Sequence, residues 1–407
     1  MRSKKRHKAS SALAEPHFRR YFPASWFSGL GYWLLRFLLG WSAWDLTASA
    51  TWVGVVAALM LGPALVLSPW FGILSDRFNP RHGLVASMLV HMLIALAGVV
   101  ALWLEVFGRE VLVLLALAMG VVTSGHSPMR LALIPMLVAR EALPSAVGLS
   151  ATTFNIARIL GPALGAALLT RGDAALSYAL AAALFAIAAG ILVSLQGVGR
   201  RASRPREPYI EQFKAGLQYV GRHRGIHLAF ACTVLNGLLG RTFIELLPAL
   251  AGGFLKGNST MLAILTSSAG VGSIIGGLVM TRQRADSAHL LRVVLSALLA
   301  AATLLLCLSS SQDLLRLSVV VLVVSGLTTV AGTGSQTITQ LCLSEDYRGR
   351  VMSLWTLLAM GSAALGSAVW GVVADTAGFT AIAAIAGSLG VGLVVLLYTQ
   401  RRLLSDW

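Results

Sequence analysis

Residues 175–195 read ALSYALAAALFAIAAGILVSL, an uncharged stretch of 21 residues with no proline and a single glycine. A helix rises about 1.5 Å per residue, so this stretch is long enough to cross a hydrocarbon core of about 30 Å. Lipid offers no partners for unpaired backbone groups, and such a segment must therefore be helical. The stretch predicts a transmembrane helix, and the rest of the chain repeats its pattern.

The composition extends this prediction to the whole chain. The 407 residues are 57% hydrophobic and only 12% charged, whereas soluble domains are about 25% charged. Glycine, proline and charged clusters divide the sequence into twelve apolar segments. They lie near 22–45, 52–74, 83–104, 111–135, 145–170, 175–195, 226–251, 259–281, 288–310, 315–340, 350–374 and 377–399.

A polar stretch separates the first six segments from the last six. We therefore predict an all-α membrane protein of twelve transmembrane helices in two pseudo-symmetric six-helix bundles. Residues 133–148 and 337–352 share one order of features, an apolar helix end, a loop with acidic and basic residues and a helix start with small residues. Such internal repeats occur in many secondary transporters. The predicted parts are a cytoplasmic basic tail (1–20), an N-terminal bundle (21–195), a cytoplasmic linker with an amphipathic helix (196–225), a C-terminal bundle (226–399) and a cytoplasmic tail (400–407).

The basic residues predict the orientation of the chain. Of 32 Lys and Arg, 24 fall in the tails, the linker and the loops of one side, four on the opposite side and four inside segments. Basic residues concentrate on the cytoplasmic side of membrane proteins. We expect a multi-pass protein of the bacterial inner membrane with both termini in the cytoplasm. The net charge of +16 then lies beside anionic lipid headgroups, and nucleic acid is not an expected partner.

Residue patterns typical of enzymes do not stand out. We find no nucleophile constellation, paired carboxylates, phosphate loop or metal cluster, and Cys232, Cys307 and Cys342 are far apart. We therefore expect no enzymatic activity, no cofactor and no metal. Energy for transport would come from an ion gradient.

The loop between the second and third segments reads GILSDRFNPRHG over residues 72–83. Gly72 permits close helix approach, and Asp76 can face a positive helix N-terminus and nearby arginines. We predict that Gly72, Asp76, Arg77 and Arg81 form a gate latch on the cytoplasmic side. The equivalent stretch of the second half, residues 276–284, lacks the aspartate.

The fifth segment carries a row of small residues with a proline. Gly148, Ala157, Gly161, Pro162 and Gly165 could let two helix backbones touch while the proline bends the helix. We predict a hinge ridge here, with a simple packing ridge as the alternative.

Polar residues inside membrane segments are costly and usually face a partner or a cavity. Arg36 would either line a cavity or form an internal pair. Glu245 lies one turn after Arg241 and is either a proton site or half of a permanent ion pair. Polar stripes on the fourth and tenth segments indicate a polar path or interhelical hydrogen bonds. The candidate substrate or proton pathway comprises Arg36, Thr123, Ser127, Arg130, Asn155, Arg158, Asn236, Arg241, Glu245, Thr329, Thr333, Gln336 and Gln340.

The sequence resembles the major facilitator superfamily in its 72–83 loop and its fifth-segment ridge. The stretches SPMRLALIPMLVARE (127–141), NIARILGP (155–162) and YRGRVMS (347–353) are similar to one branch, the transmembrane secretion effectors, which includes the enterobactin-exporter-like permeases. The resemblance covers nearly the whole chain. It implies the major facilitator fold and a central cavity lined by the first, fourth, seventh and tenth segments.

The expected function is proton-coupled export of a siderophore- or drug-like small molecule by alternating access. We expect a monomer in the lipid bilayer, with protons as the coupling ion. The cationic residues of the pathway would suit an anionic or catecholate cargo. A lysophospholipid flippase, an importer of the same fold and a non-transporting membrane sensor or scaffold remain as alternatives.

Overall fold

The computed structural model describes residues 11–67, 70–71, 79–195, 209–284, 286–307, 313–344 and 347–400. The regular structure of these residues is helical throughout. The long helices α1 to α12 are, in chain order, Pro16–Thr47, Ala50–Leu61, Pro80–Trp103, Arg109–Leu133, Leu143–Leu169, Ala174–Ser194, Tyr209–Arg222, Arg224–Leu235, Ser259–Thr281, Ser287–Cys307, Leu314–Leu341 and Arg348–Gln400. Between α8 and α9 lie the π-helical turns Asn236–Arg241 and Leu250–Phe254 and the short α-helical turns Thr242–Glu245 and Leu247–Ala249.

Among the described residues, ten helices are long and apolar enough to cross a membrane. The last runs over Arg350–Thr399, 50 residues, which is more than twice the ~20 that one crossing needs. It consists of two helices that meet at Gly378, where φ is 84° and ψ is 164°. Helix α1 is 32 residues long but is not among the ten, because Arg36 and several glycines, serines and tryptophans lower its mean hydropathy. Helices of this number and length make a multi-pass membrane protein.

The contacts between helices divide them into two sets. In the N-terminal set, α1–α6, α1 packs on α5 and α6, and α3 packs on α4 and α6. In the C-terminal set, α8–α12, α11 packs on α9 and α10, and α10 packs on α12. The most extensive contacts between the sets join α2 to α12 and α5 to α9. Two largely independent helix groups therefore meet along two helix pairs.

Small residues bring α1 and α5 unusually close together. A Cβ atom on Gly161 would overlap Trp33, and one on Gly165 would overlap the ring of Phe37. Ala157 contacts α1 in the same row, opposite Gly29. Ala157, Gly161 and Gly165 of the predicted ridge thus lie at a contact with α1, the helix that carries Arg36, whereas Gly148 lies apart from this contact. The role of the ridge as a hinge stays a prediction.

We call the side where α1 ends and α2 begins the far side, and the side where α1 begins the terminal side. On the far side, Asp375 of α12 accepts hydrogen bonds from Ser49 Oγ at 2.5 Å, Ala50 N at 2.7 Å and Thr51 N at 2.9 Å. A carboxylate at this position satisfies free N–H groups and complements the helix dipole. The C-terminal set thus caps α2 of the N-terminal set.

Close packing completes the closure of the far side. The indole of Trp44, near the end of α1, fills the space beside Gly252 and Gly253, where any Cβ atom would overlap it. On α2, a Cβ atom on Gly54 would overlap the backbone oxygen of Ser367. The two sets are therefore in van der Waals contact across the far side.

Replacement of Gly161 by alanine should destabilise the α1–α5 contact. The new methyl group would overlap Trp33 and the backbone of α1, and overpacking of this kind costs about 1–3 kcal/mol. We expect a lower Tm for Gly161→Ala in detergent solution. Gly148→Ala is the matched control, because nothing lies within 4 Å of a Cβ atom built there. Equal Tm values for the two variants would contradict this packing.

Asp375→Asn should loosen the far side, because an amide supplies one acceptor oxygen where the carboxylate uses two. Loss of a cap costs about 1 kcal/mol, or roughly a fivefold change in a two-state equilibrium. The measurement is the rate at which an impermeant thiol reagent on the far side labels Met60→Cys, a position facing the space between the sets, with the native cysteines replaced by serine. We expect roughly fivefold faster labelling.

The matched control for this experiment is Asp173→Asn. Asp173 caps α6 through Leu176 N at 2.6 Å, within the N-terminal set. The Asp173→Asn variant should leave the labelling rate of Met60→Cys unchanged. Equal acceleration by both variants would show that loss of any cap, and not the contact between the sets, opens the far side.

Candidate functional site

A cavity of about 390 Å³ lies between the two helix sets, a size typical of small-molecule sites. Helices α1, α2 and α5 line it from the N-terminal set, and the segment 236–248 with α9, α11 and α12 lines it from the C-terminal set. Pro162 of the predicted ridge also faces it. Eight predicted pathway residues lie in its lining: Arg36, Arg158, Asn236, Arg241, Glu245, Thr329, Thr333 and Gln336.

Five other predicted pathway residues are not part of this lining: Thr123, Ser127, Arg130, Asn155 and Gln340. Arg130 lies behind the lining, with its guanidinium carbon 5.7 Å from the ring centre of Phe154. Thr123 Oγ1 lies 3.5 Å from His91 Nε2 of α3. The polar stripe of α4 thus contacts its own helix set, and the structure does not bring it to the cavity.

Arg36 and Glu245 form an ion pair between the two sets, in which an Nη of Arg36 donates to a carboxylate oxygen. Their side chains are only 12% and 11% exposed. Arg36 lies eleven residues before Thr47, the end of α1, which places it about 17 Å from the far side. Arg36 therefore both lines the cavity and holds the C-terminal set at mid-depth.

Arg241 is the second arginine near Glu245. Its Nε lies 3.9 Å from the carboxylate, and its side chain is 40% exposed. The π-helical turn Asn236–Arg241 brings residues five apart near each other, which in an α-helix would point in different directions. Asn236 and Arg241 therefore reach the cavity from one face of this segment.

Arg158 of α5 is the third arginine of the lining. It donates to Ser273 Oγ of α9 at 2.7 Å, and Ser273 Oγ lies 2.8 Å from Ser325 Oγ of α11. The guanidinium carbons of Arg158 and Arg36 lie 5.4 Å and 5.9 Å from the ring centre of Trp33. Both arginines therefore make cation–π contacts with the same indole.

An aromatic wall faces these charges, and sequence reasoning missed it. It consists of Tyr32, Trp33 and Phe154, with the Trp33 and Phe154 ring centres 5.4 Å apart and edge-on. Aromatic residues in a membrane segment face lipid as readily as a cavity, so they raised no signal. Their spacing could have found them, because Tyr32 precedes Arg36 by four residues and Phe154 precedes Arg158 by four, the interval of one helix face.

Most of the predicted gate latch, Gly72, Asp76 and Arg77, lies outside the described residues. Arg81 is described, and its Nε donates to Leu192 O at 2.9 Å, with a second bond from the guanidinium to Val193 O. Both carbonyls belong to the last turn of α6, so Arg81 caps that helix within the N-terminal set.

The cavity faces the terminal side. The contacts between the sets described above lie at the far side and at mid-depth, whereas the lining continues to Gln336 and Trp355. Gln336 lies in the last two turns of α11 and Trp355 in the first turns of α12, both toward the terminal side. The lining of the cavity therefore extends from the charged cluster toward the terminal side.

Sequence comparison establishes the family of the chain. The transmembrane secretion effector family matches residues 8–405, and the chain belongs to this family of major facilitator transporters. The resemblance found in the sequence is thereby confirmed, and the chain is a transporter-family protein and not an enzyme.

Two curated relatives span nearly the full chain. The staphyloferrin A transporter of Staphylococcus aureus (strain NCTC 8325 / PS 47) is 23% identical over 386 residues, which cover 95% of this chain and 96% of the relative. The enterobactin exporter EntS of Escherichia coli O1:K1 / APEC is 28% identical over 400 residues, with 95% and 93% covered.

A solved structure shows the same fold. The crystal structure of the nucleoside transporter NupG superimposes with a TM-score of 0.70 at 12% identity and covers 94% of this chain and 98% of its own. At this identity the likeness concerns the fold alone. The helical architecture is that of the major facilitator transporters.

Proposed function

We propose that this chain is a proton-coupled exporter that moves a siderophore- or drug-like small molecule by alternating access. The observation that carries the proposal is the Arg36–Glu245 ion pair, which joins the two helix sets at the closed end of a cavity between them. The two relatives that span nearly the full chain are named a staphyloferrin A transporter and an enterobactin exporter. The second name supports the direction of flux, and both names support a small-molecule cargo.

The topology we propose has twelve transmembrane helices in two bundles of six. Ten apolar helices become eleven when the last is counted as two around Gly378, and α1 makes twelve. The distribution of basic residues places both termini in the cytoplasm of a bacterial inner membrane. The terminal side is then cytoplasmic, and the described state has its cavity open to the cytoplasm.

Export by this arrangement requires the two sets to rock about the cavity. Opening to the far side would separate Asp375 from α2 and Trp44 from Gly252. On the cytoplasmic side, Asp76, Arg77 and Arg81 would form the latch, and the α1–α5 ridge would act as the hinge. Arg36, Arg158 and Arg241 would contact the cargo or the coupling group.

Glu245 is the proton site in this proposal. It is the only acidic residue in the described lining of the cavity, and its charge makes the bridge to Arg36. A proton on Glu245 neutralises the carboxylate and removes its attraction to Arg36. The loss is large because the Coulomb energy at this depth acts through a low dielectric. Loading and unloading of this carboxylate would then weaken and restore a contact between the two sets.

The transport test uses inverted membrane vesicles under an imposed ΔpH, with a panel of siderophores, lipophilic drugs and lysolipids. Uptake of a siderophore or drug that depends on ΔpH is the expected result. Lysolipid movement without response to soluble cargo would indicate a flippase. Flux in the importing direction, or no flux of any compound, would also overturn the proposal.

Glu245→Gln should uncouple transport from the proton gradient. The amide keeps the shape of the side chain but cannot carry the charge, so ΔpH-driven uptake should be lost. Cargo exchange at equal pH on both sides should continue, and the comparison of the two assays measures coupling.

Glu211→Gln on α7 is the control for this variant, because Glu211 is exposed and outside the cavity. It should keep both activities. Full ΔpH-driven uptake by Glu245→Gln would place the proton site elsewhere.

Asp76→Asn should impair the cytoplasmic latch, because the amide lacks the negative charge that attracts arginines and a helix N-terminus. At matched expression we expect several-fold slower export of the cargo found above. Asp286→Asn provides the comparison, since Asp286 caps α10 through His289 N at 2.9 Å and lies in the corresponding loop of the second half. Export at the wild-type rate by Asp76→Asn would remove the latch from the mechanism.

A further inference from the structure

The charges of the cavity do not balance. Among the lining residues that the structure describes, Arg36, Arg158 and Arg241 contribute three positive charges and Glu245 the single negative one, which leaves a net charge of +2. Arg36 is neutralised by Glu245. Arg158 donates to a serine hydroxyl and lies over an indole face but forms no salt bridge among the described residues, and Arg241 is 3.9 Å from a carboxylate that already binds Arg36.

Such an excess is unusual at this depth. Charged side chains inside a membrane protein generally pair with each other or face the path of a substrate, and a charge without a counterion is costly wherever it is taken out of water. Like charges on Arg158 and Arg241 also repel each other. A cluster with two spare positive charges is best explained by a ligand that supplies the missing negative charges.

The surroundings of the two arginines fit such a ligand. A guanidinium has five N–H donors, and Arg158 gives one bond to Ser273, while the side chain of Arg241 is 40% exposed. Trp33 Nε1 is a further donor, buried without a hydrogen-bond partner among the described residues. The lining thus offers spare donors beside an aromatic wall.

We propose that the cargo is a dianionic organic acid with a flat unsaturated part. This inference rests on the proposed transport function. One acidic group binds Arg158 and the other binds Arg241, and the flat part lies along Trp33 and Phe154. Arg36 is not a cargo ligand in this state, because Glu245 occupies it. A cationic compound would be repelled by the net charge, and a neutral one would leave both arginines without counterions.

The test is the thermal stability of the full-length protein in detergent with three small probes at matched ionic strength. The probes are isophthalate with two carboxylates, benzoate with one, and dimethyl isophthalate with none. A ligand at about tenfold its dissociation constant should raise the Tm by about 1.5–2 °C. We expect the largest shift from isophthalate, a smaller one from benzoate and none from the diester.

The arginine variants decide where the anion binds. The isophthalate shift should fall in Arg158→Gln and in Arg241→Gln, and should vanish in the double variant. Arg316→Gln, at an exposed position at the start of α11, should keep the full shift. Arg158→Lys and Arg241→Lys retain the charge and should keep part of it, which guards against variants that simply fold poorly.

Several outcomes would overturn the anion site: a diester shift equal to that of isophthalate, a shift that survives in the double glutamine variant, or no shift with isophthalate at tens of millimolar. Failure of the proposed transport function can be distinguished from failure of the anion site by the vesicle assay. Vesicles that carry only neutral or cationic compounds would leave the transport function standing and remove the acidic cargo. Arginine-dependent stabilisation without flux of any compound would leave the anion site standing and remove the transport function.

Discussion

The ion pair between Arg36 and Glu245 joins the two helix sets through side chains that are only 12% and 11% exposed. Removing one partner of a buried pair costs about 3–5 kcal/mol, so the contact between the two sets at mid-depth depends on both side chains. Other features of the fold position the two side chains. The glycines of α5 hold α1 in place, and the π-helical turn before Thr242 sets the direction of Glu245.

The membrane architecture could be predicted from the sequence because lipid leaves the backbone few options. The predicted segment 175–195 differs by one residue at each end from α6, Ala174–Ser194. Helix α1 was harder to delimit. It begins at Pro16, six residues before the predicted segment, because Arg19 and Arg20 can continue the helix outside the apolar part of the membrane.

The candidate site was only partly predictable. Residues such as Arg36, Arg158 and Glu245 stand out because a charge in an apolar segment is rare. The pairing of Arg36 with Glu245 could not be inferred from the sequence, since the two residues are 209 positions apart. Helical spacing groups Thr123 with Arg130 on one face of α4, but spacing does not reveal which neighbour that face meets. The structure shows that Thr123 meets His91 of α3 and that Arg130 meets Phe154 of α5.

The direction of Glu245 depends on the π-helical winding of Asn236–Arg241. A π turn holds one residue more than the α turn it replaces. A regular α-helix of the same length would therefore rotate everything after this turn by about 100°. Glu245 would then leave the face that meets Arg36, although every charged residue of the site was still present. The winding of this one turn, and not the charged residues alone, thus decides whether the two helix sets can pair at mid-depth.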